Sequence, residues 1–135
     1  MMKHLKVRSV DKNEYVLYWN KAEEFYETMQ LAHKNRMWTS VGLNAIHCVI
    51  SSLDALLVKS QGIRSAGEDH VQAVGLLAHA PIDGIEKQTA VVRRIIAKKN
   101  VIAYESREFR EGEATDIFKQ VERFYRWTFE YLNKT

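Results

Sequence analysis

Residues that break helices are scarce in this sequence, because its 135 residues include only one proline and six glycines. So few breakers favour long helices over many short strands joined by turns. The single cysteine, Cys48, excludes an internal disulfide framework, as is typical of proteins in a reducing cytoplasm. We therefore expect one helical domain, and we expect it to reside in the cytoplasm.

The sequence also lacks signals for a membrane or for secretion. No run approaches the roughly 18 apolar residues that span a bilayer, and the start of the chain lacks the apolar stretch and cleavage site of a secretory signal. The 20 Lys and Arg residues only slightly outnumber the 17 Asp and Glu residues. This mild positive charge permits a nucleic-acid partner without requiring one.

Apolar residues recur at spacings of three and four along most of the chain, which is the period of an α-helix with one buried face. The sequence predicts four or five such helices. Asp11 and Glu14 form a capping-box signature at the start of the first, and Gly62 ends the second. Pro81 to Gly84 and Glu111-Gly112 separate the later helices. The predicted ranges are 11 to about 29, 39 or 40 to 60, 67–78 with Val71, Val74 and Leu77 inward, 85–109 with a bend near Asn100, and 115–132.

The second predicted helix is apolar around most of its circumference. Ile46, Ile50 and Leu53 mark one face, and Val41 and Leu56 extend the apolar surface to other sides. Such a helix must be covered from several directions. The sequence therefore predicts an all-α, up-and-down bundle built around this helix, as a single domain over 1–135 with its core at about 11–132.

A narrow polar strip interrupts that apolar surface and consists of Asn44, His47, Ser51 and Asp54. These residues do not form a catalytic triad, since the serine lies between the imidazole and a carboxylate about 10 Å away along the axis. Two interpretations stay open. The strip is either the solvated edge of the central helix or part of a polar pocket between helices or subunits.

Motifs for metals and cofactors are missing from the sequence. No two histidines have the helical spacing that places two ligands on one face, and no glycine-rich phosphate loop occurs. We therefore predict neither a metal nor a cofactor. Arg64 is followed by His70 at a spacing that could pair a fixed cation with a proton-transferring imidazole on a phosphate, so these two are the only catalytic candidates.

The order of segments resembles that of HEPN domains, a family of small helical bundles associated with nucleotides and RNA. The resemblance rests on the central helix from Ala45 to Leu57, the glycine turn and His70 that follow it, the segment Lys99-Asn100-Val101-Ile102-Ala103-Tyr104-Glu105, and a closing helix. It covers about 11–132. It implies a bundle of four or five helices that commonly pairs into a homodimer.

The same resemblance suggests where a site would lie. Ribonuclease members of the family carry arginine, a polar residue and histidine near the start of the final helical region. This chain has Lys99 and Asn100 at those places, and no histidine follows His79. Lysine lacks the planar fork of arginine, and the loss of histidine removes the usual group that titrates near neutral pH. The candidate residues for binding nucleotide or RNA are Arg94, Lys98, Lys99, Asn100 and Tyr104.

We therefore expect a non-catalytic HEPN-like protein that binds nucleotide, RNA or a partner such as a minimal nucleotidyltransferase. One alternative is a metal-independent ribonuclease of the toxin or defence type, which would use Arg64 and His70 and could have an antitoxin partner. Another alternative is an interaction module that associates through Trp127 and Tyr131, which flank the apolar face of the last helix.

Overall fold

The computed structural model of the protein describes residues 7–66 and 70–134. Within these ranges the chain forms six α-helices, one short 3-10 helix (Lys12–Glu14) and two short strands. The predicted all-α bundle is confirmed. The helices are α1 (Tyr15–Lys34), α2 (Trp38–Gln61), α3 (His70–Ala78), α4 (Ile85–Ile96), α5 (Lys99–Ala103) and α6 (Glu111–Leu132).

Helix α2 is the centre of the bundle, as its apolar circumference predicts. Thirteen of its 24 residues are buried, and it contacts each of the other five described helices. Val41, Val49, Leu53 and Leu56 are all completely inaccessible to solvent. Since burying one such side chain contributes about 1.5–3 kcal/mol, α2 supplies much of the hydrophobic stabilisation of the fold.

The expectation that no apolar run could cross a membrane is wrong for α2. Its best 18-residue window has a mean hydropathy of 1.7, which is long and apolar enough by composition. However, 72% of that window is buried inside the protein. A helix covered on all sides by other helices needs the same apolar composition as a membrane span, and the packing of α2 accounts for its hydropathy.

Aromatic rings join α1 to α6 across the other side of the core. The Tyr26 and Tyr125 rings stack with centroids 3.9 Å apart, and Trp19 stacks on Tyr125 at 4.8 Å. At the far end of the same pair of helices, His33 Nε2 lies 3.1 Å from Thr115 Oγ1. Through these contacts Trp19 belongs to the hydrophobic core, and Tyr26 and Tyr125 pack against it.

A small antiparallel sheet, which the sequence did not predict, closes one end of α2. Its strands are β1 (Val7–Ser9) and β2 (Ile63–Ser65). Gly62 ends α2 as predicted, with a φ of 64°, and its carbonyl oxygen accepts a hydrogen bond of 2.8 Å from Val10 N–H. Strands of three residues are too short to show the alternation by which sequence reveals a strand.

Two predicted helix starts are wrong. Asp11 accepts a hydrogen bond of 2.9 Å from Asn13 N–H and caps the 3-10 helix, so α1 itself begins four residues later, at Tyr15. Glu111-Gly112 does not break the chain but opens α6. The Glu113 carboxylate accepts a hydrogen bond from Arg110 N–H at 3.3 Å, and this N-terminal cap favours a helix despite the glycine.

The third and fourth predicted helices also differ from the structure. The start of the third at Gly67 lies outside the described residues, and Val71, predicted to face inward, is 60% exposed. Val74 and Leu77 are buried as predicted. The fourth helix stops at Ile96, a turn follows, and α5 ends at Ala103, so the predicted helix over 104–109 is absent from the described chain.

Candidate functional site

The polar strip of α2 does not form one pocket. Asn44 Nδ2 donates a hydrogen bond of 2.8 Å to the Ser40 carbonyl one turn earlier, which satisfies it within the helix. The exposed His47 ring stacks on Phe25 at 5.2 Å, whereas Ser51 is buried. The strip therefore includes an exposed ring, His47, which contacts Phe25 of α1, and a buried hydroxyl, Ser51.

Asp54, the last residue of the strip, lies next to Arg64. Their charged groups approach to 3.6 Å, and the Arg64 guanidinium lies 5.0 Å from the centre of the Tyr18 ring. Burial raises the pKa of Asp54, and the nearby charges of Arg64 and Lys21 only partly oppose this effect. Arg64 thus forms part of a packed contact between β2, α1 and α2.

His70 lies in a different place, in a cleft of about 490 Å³ between α3, α4 and α5. We call it the α3–α5 cleft. His70 is the first described residue of α3, Arg93 comes from α4, and Lys99 and Asn100 come from α5. Arg64 is not among the described residues that line this cleft. The complete described lining is His70, Val71, Val74, Arg93, Ile96, Ala97, Lys99 and Asn100.

The lining combines positive charge with an apolar wall. Arg93 and Lys99 make no ion pair within the described residues, and no described acidic side chain lines the cleft. Val71 and Ile96 provide apolar surface beside these cations. An unpaired guanidinium and ammonium near apolar surface suit a ligand that carries both an anionic group and a flat or apolar part.

The structure separates the five candidate residues for nucleotide or RNA binding. Only Lys99 and Asn100 line the α3–α5 cleft. Arg94 lines a second groove between α4 and α6, and Tyr104 is 76% exposed. Lys98 lies close enough to Glu113 for its charge to affect that carboxylate. The pKa of Glu113 is lowered mainly by hydrogen bonds from Arg107, and the positive charge of Lys98 lowers it further.

Trp127 and Tyr131 are half-buried on the flank of α6, where the sequence places them. Their rings are nearly parallel with centroids 6.2 Å apart, and they line a cleft of about 280 Å³ against Pro81, Ile82 and Asp83. Burial raises the pKa of Tyr131. The predicted contact with another subunit at these rings stays a prediction.

Nucleophilic and metal chemistry have little support in the described residues. Cys48 is 1% exposed, and burial raises the pKa of its thiol to about 12. A thiol must ionise to act as a nucleophile. No group of three or more His, Cys, Asp or Glu side chains suitable for a metal ion occurs in 7–66 and 70–134.

Sequence reasoning missed Arg93 and the apolar wall as parts of a site. Arg93 and Arg94 are adjacent in the sequence, but successive side chains on a helix point about 100° apart. Arg93 and Arg94 therefore face different helices that pack against α4. Which helix lies on each side of α4 depends on tertiary packing, which the period does not encode.

Comparisons with protein-family models, with curated proteins and with solved structures gave no match to this chain. A functional proposal therefore depends on the geometry and charge of the site itself.

Proposed function

We propose that this protein is a HEPN-like bundle that binds the phosphate of a nucleotide or of RNA in the α3–α5 cleft without cutting it. The observation that carries the proposal is that Arg93, Lys99, Asn100 and His70 line one cleft together with apolar side chains. Arginine and lysine are the side chains that most often bind phosphate oxygens.

The size of the cleft supports this choice of ligand. Sites for small molecules commonly measure about 300–1,000 Å³, and the α3–α5 cleft measures about 490 Å³. The phosphate would bind Arg93 and Lys99, with the base against Val71 and Ile96. Asn100 would offer both a donor and an acceptor, which is the usual way for an amide side chain to contact a base or a sugar.

A second candidate function, a metal-independent ribonuclease, is favoured by the position of His70. This imidazole lines the same cleft as Arg93 and Lys99, so a bound phosphate would lie within the site that contains it. Binding without cleavage is the better proposal, because hydrolysis of RNA needs both a proton acceptor and a proton donor. His70 is the only described histidine in the cleft, and no described carboxylate lines it.

Titration of labelled AMP by fluorescence anisotropy at low ionic strength tests the proposal. Arg93→Gln and Lys99→Gln should each weaken binding about tenfold, the loss expected when one charge-assisted hydrogen bond is removed. Lys34→Gln is the matched control, because Lys34 is exposed at the end of α1 and lines none of the described clefts. Equal affinity of all four proteins would contradict the proposal.

Incubation with single-stranded RNA separates binding from cleavage. We expect the RNA to stay intact with the wild-type protein. Cleavage that His70→Ala abolishes, in a protein that still binds AMP, would establish the ribonuclease alternative instead.

The proposal extends to the location of the protein in the cell and to its protein partners. Nucleotides and RNA are abundant inside cells, so the proposal implies a cytoplasmic protein. The half-buried Trp127 and Tyr131 offer a surface for a second copy, or for a separate chain such as a minimal nucleotidyltransferase. Light scattering on the wild type and on Trp127→Ala would measure whether this surface forms a homodimer.

A further inference from the structure

A second basic groove lies on the other side of α4, between α4 and α6. Its volume is about 230 Å³, and we call it the α4–α6 groove. Three cations line it: Lys87 and Arg94 from α4, and Arg123 from α6. Its remaining lining consists of Gln88, Val91, Gln120 and Phe124.

The cations of this groove are available to a ligand. Lys87, Arg94 and Arg123 are exposed, and none of them makes an ion pair within 7–66 and 70–134. Arg123 donates one long hydrogen bond of 3.4 Å from Nε to the Lys119 carbonyl, which leaves its terminal nitrogens for other acceptors.

Glu122 and Asp116 of α6 have hydrogen-bond partners. Glu122 accepts a hydrogen bond of 3.3 Å from the Tyr26 hydroxyl and lies 3.6 Å from Arg126. Asp116 accepts a hydrogen bond of 2.9 Å from Gln120 Nε2. None of the described residues that line the groove is acidic. Asp116 keeps its negative charge beside the lining residue Gln120, but the three cations of the lining outnumber this single carboxylate, and the groove stays net positive.

Gln120, one of the lining residues of the groove, has an unsatisfied acceptor. Its Nε2 is occupied by Asp116, and its Oε1 is buried with no hydrogen-bond partner among the described residues. A buried acceptor without a donor costs about 1–3 kcal/mol. Because this oxygen has almost no solvent-accessible surface, a ligand would reach it only after the Gln120 side chain turned outward, and a ribose 2′-hydroxyl would then supply the missing donor.

The two basic sites lie on the two sides of one helix. Lys87, Val91 and Arg94 share one side of α4, whereas Arg93 and Ile96 line the cleft on the other side. An α-helix with its side chains is about 10–12 Å wide, a distance that a few nucleotides of an extended strand can cross. The exposed Ala90 lies between these sides and offers little steric hindrance.

We propose that the α4–α6 groove binds the sugar–phosphate backbone of a single-stranded RNA whose neighbouring phosphate occupies the α3–α5 cleft. This inference rests on the proposed function and specifies its ligand as a strand rather than a free nucleotide. The volume of the groove supports a backbone site, because about 230 Å³ is below the usual range for a pocket that encloses a whole small molecule.

Anisotropy titrations with a labelled uridine dinucleotide and a labelled uridine octanucleotide test this inference. The double variant Arg94→Gln/Arg123→Gln should weaken octanucleotide binding at least about tenfold and leave dinucleotide binding unchanged. The slope of log affinity against log salt should fall in magnitude by about 0.7 for each phosphate that the variant no longer neutralises. Lys87→Gln should weaken octanucleotide binding in the same direction, and Lys34→Gln is the control for loss of charge alone.

The outcomes separate this inference from the proposed function. If Arg93→Gln/Lys99→Gln weakens octanucleotide binding and Arg94→Gln/Arg123→Gln does not, the groove proposal is overturned and the cleft proposal stands. If only Arg94→Gln/Arg123→Gln has an effect, RNA binds the groove alone, and this result overturns both the cleft proposal and the inference that one strand joins the two sites. A wild-type protein that binds neither RNA overturns both. Circular dichroism of each variant checks that the helices are retained.

Discussion

Two groups of helices in this bundle differ in the contacts that their aromatic and charged side chains make. Around α1, α2 and α6, aromatic rings stack, and ion pairs such as Arg36–Glu111 and Arg126–Glu122 join charged residues. Within the described residues, no ion pair involves α3, α4 or α5. We call α1, α2 and α6 the first half and α3, α4 and α5 the second half. Both halves bury apolar residues in the core, but the second half leaves the arginines and lysines of α4 and α5 available to a ligand.

The largest expected effect is on the free energy of unfolding, when a buried apolar residue of α2 is replaced and an exposed apolar residue of α3 serves for comparison. Leu53→Ala removes a completely buried side chain of α2, so the free energy of unfolding should fall by about 3 kcal/mol. Val71→Ala removes a side chain of α3 that is 60% exposed, and we expect a change within about 0.5 kcal/mol. Urea denaturation followed by circular dichroism measures both. Similar losses would mean that Val71 is as well packed in the protein as Leu53 and is not exposed at the α3–α5 cleft.

Two glycines inside helices, one in α2 and one in α3, allow the tightness of packing to be compared by replacing each with alanine. A Cβ at Gly42 of α2 would lie 2.9 Å from both Ile102 Cδ1 and Phe109 Cε2. Overpacking costs about 1–3 kcal/mol, and the gain in helix propensity is about 1 kcal/mol. Gly42→Ala should therefore lower the free energy of unfolding by about 1 kcal/mol.

Gly75→Ala is the matched control in α3. A Cβ there would meet no heavy atom within 4 Å, so this substitution should raise the free energy of unfolding by roughly 0.5–1 kcal/mol. Thermal unfolding of both variants gives the comparison. If Gly42→Ala were also stabilising, the close approach of α5 to α2 would not be a tight contact.

Local pattern predicted the existence of the long helices α1, α2 and α6 well, their starts less well, and the grouping of residues in the candidate site poorly. The spacing of apolar residues identified α2 and its C-terminal glycine because both depend on residues within a few turns of one another. It placed the end of the fourth helix wrongly, because the turn after Ile96 has no proline or glycine to mark it.

The candidate site shows why spacing alone was insufficient. Lys99 and Asn100 were found from the sequence, but their proximity to His70 depends on how α3 packs against α4. The Arg64 and His70 pair had a suitable spacing, yet β2 holds Arg64 against Asp54 and Tyr18. Contacts between residues distant in sequence are set by packing, and one sequence carries no direct record of them.

The smallest expected effect concerns the charge of Asp54, the one acidic residue of the polar strip. Its side chain is 13% exposed, and burial raises its pKa. The folded state therefore retains the proton at pH values where the unfolded state has already lost it. The stability contributed by Asp54 is greatest at low pH and falls as pH rises from about 4, the usual Asp value, through its folded pKa.

Asp54→Asn should remove this pH dependence. The difference in unfolding free energy, variant minus wild type, should grow more positive as pH rises through that window, and urea denaturation at several pH values would measure it. Taking the difference cancels groups that both proteins share, including Glu113, whose pKa is lowered mainly by hydrogen bonds from Arg107. A difference that falls with pH would mean that the attraction between Asp54 and Arg64 outweighs burial, and that this contact stabilises the first half as an ion pair.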